Sequence, residues 1–351
     1  MLTDSGHSAT DDPGMEFLFE SRDFSRPLRL PFDSFCSRQG RIEMADRVHI
    51  LVLNYNGCAL LQECLPSVID CARAAAVPCR VSVVDNDSTD ESIEFLRQAW
   101  PQVTVLSMPN RGLVSFNRAV RELEEPVVLL LNNDVKLGLG CVDRLAETFD
   151  RHADCFLAGP LCWTFDGRFE GTRSELRFRR GIVHTQLKPI VETEPVATEY
   201  TASAGAVFAV RRDKFLALGG FDPLFLPGRY EDLDLAFRGW LAGWKAYFVP
   251  EAVAYHKGQT TFAAKFGSRG IRELDIRNAL LFAWKNLHES QHMARHLAFL
   301  AVRLAVALAM GQTVFLRGWS RALRRLSQVR SRRIVACPRI RSERELFALL
   351  G

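Results

Sequence analysis

Short, largely apolar runs recur along the first half of this chain, and each stops at a cluster of Asn and Asp. Val48 to Leu53 (VHILVL) closes on Asn54-Tyr55-Asn56-Gly57, and Arg80 to Val84 closes on Asp85-Asn86-Asp87-Ser88. Val127 to Leu131 is entirely apolar and closes on Asn132-Asn133-Asp134. A run without polar alternation is buried on both faces, as a parallel strand between two layers of helices must be. Helical stretches separate the runs, from Ala59 to Ala75, from Ser88, and after Gly112, with one more strand at Val103 to Leu106. Alternating strands and helices with short loops predict an α/β fold: a mostly parallel central sheet with helices on both faces. Ligands of such sheets sit outside the carboxyl ends of the strands. Any one polar cluster there is ordinary turn or helix-cap chemistry. Three on one rim point to a binding site.

Beyond Phe156 the pattern loosens, with a strand-like piece at Gly205 to Val210 and an amphipathic helix from Glu231 to Gly243. That helix sets Leu233, Ala236, Phe237, Trp240, Leu241 and Trp244 on one apolar stripe. It opens with Tyr230-Glu231-Asp232-Leu233-Asp234. Acids in a first turn complement the helix dipole, and the same position keeps a carboxylate ionised and able to accept a proton. His256 follows a strand-like Ala252 to Tyr255, where a histidine is either structural or part of a metal site.

Several function classes are excluded early. No GxGxxG follows the first strand and no GxxxxGK[ST] occurs, which argues against dehydrogenases and P-loop NTPases. Nine cysteines without a CxxC pair argue against zinc ribbons and disulfide frameworks, and suit a reducing cytoplasm. The N-terminal MLTDSGHSATDDPG has acids where a signal peptide needs bases and an apolar run, so a cytoplasmic location is expected.

The specific pattern is wider than any of these pieces. VLNYNG (52–57), VVDNDSTDES (83–92), NRGLVSFN (110–117), LLLNNDV (129–135), GAVFAVRRDKF (205–215), GGFDPLFLPGRYEDLDLAFR (219–238) and YFVPEAVAYH (247–256) occur in one order. In that order and spacing the chain resembles a family 2 glycosyltransferase of the GT-A fold, near the rhamnosyltransferase-like bacterial branch. The resemblance implies an inverting enzyme that moves a sugar from a nucleotide-diphosphate donor (a dTDP-, UDP- or GDP-sugar) to a glycan or lipid-linked saccharide. It implies donor-binding roles for Asn54, Asn56, Asp85, Asn86, Asn110, Gly112, Asn117 and Asn133. It implies a divalent cation, Mg²⁺ or Mn²⁺, held by Asp134 and His256. Asp232 takes the position of the general base, with Glu231 beside it, and Gly205 and Tyr230 shape the acceptor site. Two features depart from the family pattern: Val114-Ser115-Phe116 is bulkier than the usual segment, and the metal motif holds a single carboxylate.

Charge divides the chain. Ser290 to Gly351 holds 12 Arg, no Lys and two acids, a local +10 within a whole-chain +4, so the remainder carries −6. His296 to Leu316 is mostly apolar but interrupted by Arg303 and Gln312. An apolar stretch followed by arginines predicts peripheral attachment to an anionic membrane surface, on the inner face of a plasma membrane. No aromatic interleaving or recognisable module accompanies the arginines, so nucleic acid is not expected as a partner. The expected organisation is an N-terminal extension (1–46), a GT-A domain (47–287) and a C-terminal helical region (288–351). Two rival readings stand beside this one. His288-Glu289-Ser290-Gln291-His292 matches HExxH, a zinc-peptidase signature, and the altered 114–116 segment would suit a glycosyltransferase-like binding protein without turnover.

Overall fold

The structure is a computed structural model and describes residues 47–190, 197–203, 205–258, 260–334 and 339–351. The extension expected over residues 1–46 lies outside the described residues. The first half alternates as the apolar runs require: β1 (Val48–Asn54), α1 (Cys58–Ala74), β2 (Cys79–Asp85), α2 (Ser92–Ala99), β3 (Thr104–Ser107), α3 (Phe116–Glu122) and β4 (Val127–Asn132). β3, β2, β1 and β4 lie side by side, all parallel. Their runs lack polar alternation because they feed two cores. Ile50, Val52, Leu129 and Leu131 pack on one face, while Leu51, Val128 and Leu130 pack on the other. The helix expected from Ser88 starts instead at Ser92. Side chains of Asp85 and Asp90 take the backbone N–H groups of Ser88 and Ser92, and Asp87 sits at φ 64°, so the segment closes as a turn.

The remaining strands are β5 (Val135–Leu137), β6 (Cys155–Thr164), β7 (Ser174–Arg179), β8 (Ile182–Leu187), β9 (Glu199–Tyr200), β10 (Val207–Arg211) and β11 (Lys245–His256). β7 and β8 form a separate antiparallel hairpin. The main sheet runs β3-β2-β1-β4-β10-β6-β11-β5, with β9 also on β11. The mostly parallel expectation thus describes one half of the sheet, and the other half is mixed. β10 starts at the carboxyl rim of β4 and runs back along it, with Val207 opposite Leu131 and Arg211 opposite Val127. This reversal brings Gly205 to the rim. β5 turns straight out of β4 and pairs His256 of β11 with Val135, so His256 arrives beside Asp134.

Helices α1, α2 and α4 (Cys141–Arg151) cover one face; α3, α5 (Arg212–Ala217), α6 (Glu231–Leu241) and α7 (Thr260–Asn286) belong to the other. The apolar stripe of α6 is buried as expected, with Trp240 fully enclosed. Gly267 interrupts α7 at φ 61°. The C-terminal region forms α8 (Ser290–Ala309), α9 (Thr313–Leu323), α10 (Leu326–Ile334) and α11 (Glu343–Leu350). It does not simply trail away, because Leu346 and Leu350 of α11 are buried in the main core.

Candidate functional site

Two cavities open at the carboxyl rim of the parallel strands. The larger, about 670 Å³, is bordered by Tyr55, Asn86, Asn110, Gly112, Asn133, Asp134, His256 and Lys265. The smaller, about 410 Å³, is bordered by His184, Thr185, Gly205, Tyr230, Asp232 and Asp275 over a floor of Phe116, Leu130, Phe208 and Phe221. Leu113, Asn132, Arg229 and Glu231 border both.

The larger cavity rests on a closed polar net. Asn54, fully buried, donates to Asp85 Oδ1 (3.1 Å) and Ser88 Oγ (3.2 Å) and accepts from Asn133 Nδ2 (2.7 Å). Gly57 makes that net possible: a Cβ there would fall 2.0 Å from Asn133 Nδ2 and 2.8 Å from Asn54 Oδ1. Asn86 donates to the Gly112 carbonyl (3.2 Å), while its buried Oδ1 has no partner. A buried acceptor without a donor is costly unless a ligand supplies one. Asn110 accepts from the Gly112 N–H at 3.1 Å, fixing the opposite lip.

The eight residues expected on the donor side therefore divide. Asn86, Asn110, Gly112 and Asn133 line the cavity. Asn54 and Asp85 lie beneath it as supports. Asn56 lies outside it, on the exposed surface, where its Oδ1 takes the Thr89 N–H (2.7 Å). Asn117 is also elsewhere, with both amide atoms used on the Phe221 backbone at 2.8 Å. Gly220 (φ 70°) admits it, since a Cβ there would fall 2.3 Å from Asn117 Oδ1. None of Val114, Ser115 and Phe116 borders the larger cavity; Val114 and Phe116 are spent on the core.

At the far wall, His256 Nε2 stands 3.3 Å from Asp134 Oδ1, and its Nδ1 is 2.9 Å from Glu170 Oε2. Burial opposes a charged imidazole here, but the two carboxylates outweigh it and raise the pKa to about 9. Asp134 Oδ1 is buried and forms no well-directed hydrogen bond. One incompletely satisfied carboxylate oxygen beside an imidazole nitrogen fits a divalent cation, which would take the place of the imidazole proton between them. Glu170 was invisible in the sequence. It lies in the loop between β6 and β7, and only folding puts it behind His256.

The three acids opening α6 have different fates. Asp234 points into the core and is held by Lys285 (2.6 Å), Arg238 (2.8 Å) and Asn286 (2.8 Å). Glu231 and Asp232 face the cleft. Asp232 Oδ2 accepts from Ser203 Oγ at 3.3 Å, whereas the buried Oε2 of Glu231 has no partner. Burial, then the neighbouring Asp232, pushes Glu231 up to about 8, and burial also raises Asp232. Adjacent recessed carboxylates with raised pKa values share protons rather than ionising together. Arg229, held 2.6 Å from Asp275, is the cation of this wall.

The HExxH reading fails on this geometry. α8 begins only at Ser290, so His288 is off the helix and its Nε2 sits 3.0 Å from the Lys285 carbonyl. His292 lies instead between Glu343 (3.0 Å) and Glu289 (3.4 Å), clasping α11 to the start of α8. A peptidase needs both imidazoles on one helical face.

Comparison with known proteins agrees with the fold and the rim. A sequence model of glycosyl transferase family 2 matches residues 49–212. An N-acetylglucosaminyl-diphospho-decaprenol L-rhamnosyltransferase of Mycobacterium tuberculosis is 29% identical over 245 residues, covering 62% of this chain and 78% of that protein. Among solved structures, GalNAc-T7 with UDP, GalNAc and Mn²⁺ superposes with a TM-score of 0.54 at 16% identity, over 68% of this chain and 48% of that one. S. aureus TarS 1–349 in complex with UDP-GlcNAc gives 0.52 at 14% identity, over 82% and 83%. Both structural likenesses are of fold. The chain thus has the GT-A fold and resembles the family 2 glycosyltransferases. It carries a glycosyl transferase family 2 domain and is rhamnosyltransferase-like in sequence.

Proposed function

We propose that this chain is an inverting glycosyltransferase of the hexosyl type, with Asp232 as general base. The observation that carries the proposal is the acid pair at the junction of the two cavities. Glu231 borders both, and Asp232 opens into the smaller. The larger cavity takes the nucleoside diphosphate sugar and the smaller the acceptor. The acceptor hydroxyl gives its proton to a carboxylate oxygen of Asp232 while its oxygen attacks the anomeric carbon. The bond from that carbon to the diphosphate breaks, and the diphosphate leaves with the electron pair. Attack opposite the leaving group inverts the centre. Asp134 and His256 would hold Mg²⁺ or Mn²⁺, which when bound neutralises charge gathering on the diphosphate. The GalNAc-T7 structure contains Mn²⁺ together with UDP, which supports that assignment.

The mycobacterial relative's name specifies a diphospho-decaprenol acceptor. With the basic C-terminal region, it supports a lipid-linked saccharide as acceptor and cell-envelope polysaccharide assembly as setting. Work at the cytoplasmic face of the plasma membrane follows. Asp232→Asn is expected to keep the fold and donor binding while lowering transfer about 10²–10⁴-fold, the usual contribution of a positioned base. Near wild-type transfer would reject Asp232. A second reading, Glu231 as the base, is favoured by its unpartnered Oε2; it requires Glu231→Gln to cause the larger loss. Donor hydrolysis without acceptor would exclude a binding protein without turnover.

A further inference from the structure

Helix α8 is anchored at its start and bare along the rest. His296 Nδ1 lies 2.6 Å from the Gly181 carbonyl, and Trp284 Nε1 donates to His296 Nε2 at 2.9 Å. Farther on, Leu297, Phe299, Val302, Val306, Leu308 and Met310 are between 40% and 69% exposed. They are half of the 12 exposed large apolar side chains among the described residues. The helix is 20 residues long, yet only His292, His296 and Ala307 of it are buried. So many exposed apolar side chains on one helix mark an interaction surface.

The next helix supplies charge. α9 buries Phe315, Gly318 and Ala322 and turns Arg317, Arg321 and Arg324 outward, along a shallow groove of about 440 Å³ with Thr313 and Ser320. Glu273 of α7 pairs with Arg321 (2.9 Å) and stands near Arg317 (3.6 Å) and Arg269 (3.5 Å). One carboxylate shared by three guanidinium groups leaves the row positive. Arg303 of α8 covers the Phe315 ring at 4.2 Å, tying the two helices together.

We infer that α8 and α9 are the surface by which this chain sits on an anionic phospholipid bilayer, with α8 lying along the interface and the arginine row against lipid phosphates. An apolar helix beside a cationic face has the chemistry of an interfacial helix. A spanning α8 would have to break the His296 anchor. A second copy on the same surface would set arginine row against arginine row. The position also serves the reaction, a point that rests on the transferase reading. A Cβ at Gly181, in the β7–β8 turn, would fall 2.9 Å from His296 Cα. Thr185 on the same hairpin borders the acceptor cavity, and four strand residues span on the order of 13 Å. A saccharide carried on a bilayer lipid would emerge close to the acids.

Flotation of the full chain with vesicles tests the surface without any substrate, so it fails or succeeds independently of transfer. Binding is expected to phosphatidylcholine vesicles containing about one-third phosphatidylglycerol, and to be released by salt near 0.5 M. Each basic residue beside an anionic leaflet is worth about a factor of five, so Arg317→Gln/Arg321→Gln/Arg324→Gln should weaken binding about 100-fold. Because Glu273 would lose two partners in that variant, Val302→Ser/Leu308→Ser, at positions 64% and 63% exposed, provides a second loss that spares the ion pairs. Equal binding to pure phosphatidylcholine, unchanged binding by both variants, or self-association through α8 without vesicle affinity would overturn the inference. Extraction from cell membranes by detergent alone would replace it with a span.

Discussion

The net beneath the larger cavity and the acid pair beside the smaller one treat their polar groups in opposite ways. Beneath the donor cavity, Asn54, Asp85, Ser88 and Asn133 satisfy one another in a closed net. At the acceptor side, Glu231 and Asp232 stand side by side, and one buried carboxylate oxygen has no partner. The first arrangement stabilises a shape into which a nucleotide can settle. The second keeps two recessed acids close enough to share a proton, which is what the proposed base requires. The supports are satisfied, whereas the atoms left open, Asn86 Oδ1 and Asp134 Oδ1 in the larger cavity and Glu231 Oε2 beside the smaller, belong to residues that border the cavities, and stability measurements on single variants should separate supports from open groups.

The largest effect is expected at Asn54. Asn54→Ala strands a carboxylate oxygen of the fully buried Asp85 and leaves a cavity beneath the half-buried Asn133, and leaving a buried group unpaired costs about 1–3 kcal/mol. Urea unfolding should show a loss of about 3 kcal/mol; an unchanged midpoint would mean that the net is not closed in solution. Next comes Glu170, which holds His256 from behind. Glu170→Gln should weaken Mn²⁺ binding about 10–100-fold in the presence of nucleoside diphosphate, the usual cost of losing a carboxylate behind a ligating histidine. Calorimetry or Mn²⁺ resonance titration reads this without turnover. Unchanged affinity would leave Glu170 a surface partner only.

The smallest effect has the opposite sign. Glu231 has a folded-state pKa raised to about 8 from an ordinary 4.5. The native state therefore holds a proton that the unfolded chain releases, and stability declines as pH rises from about 4.5 to about 8. Glu231→Gln removes that penalty. Its melting temperature should exceed wild type by a few degrees at about pH 8, and the gain should vanish below about pH 4.5. A destabilised variant at high pH would show that Glu231 is satisfied after all, and the contrast between the two walls would collapse.

Much of this was legible in the chain. The parallel half of the sheet announced itself because its strands feed two cores and so lack any polar face, as Leu51 and Val52 show by packing on opposite sides. The rim clusters were legible because Asn and Asp end strands for local reasons. What remained hidden depended on non-local pairing. β10 reverses direction because its chain enters at the carboxyl end of β4, Val207 opposite Leu131, which no local period records. Glu170 reaches His256 across 86 residues, and Arg229 meets Asp275 across 46. Asn117 shows the reverse error: a residue in a familiar motif whose amide is fully used to clamp the Gly220 turn.

The central claim is a single displacement at the junction of the two cavities, driven by an acid that takes the acceptor proton. Its most direct test is the anomeric configuration of the transferred sugar, read by NMR on product made from a donor of defined configuration. Inversion is the expected result. Retention would contradict the account, because the acid pair would then have to serve a different course of reaction.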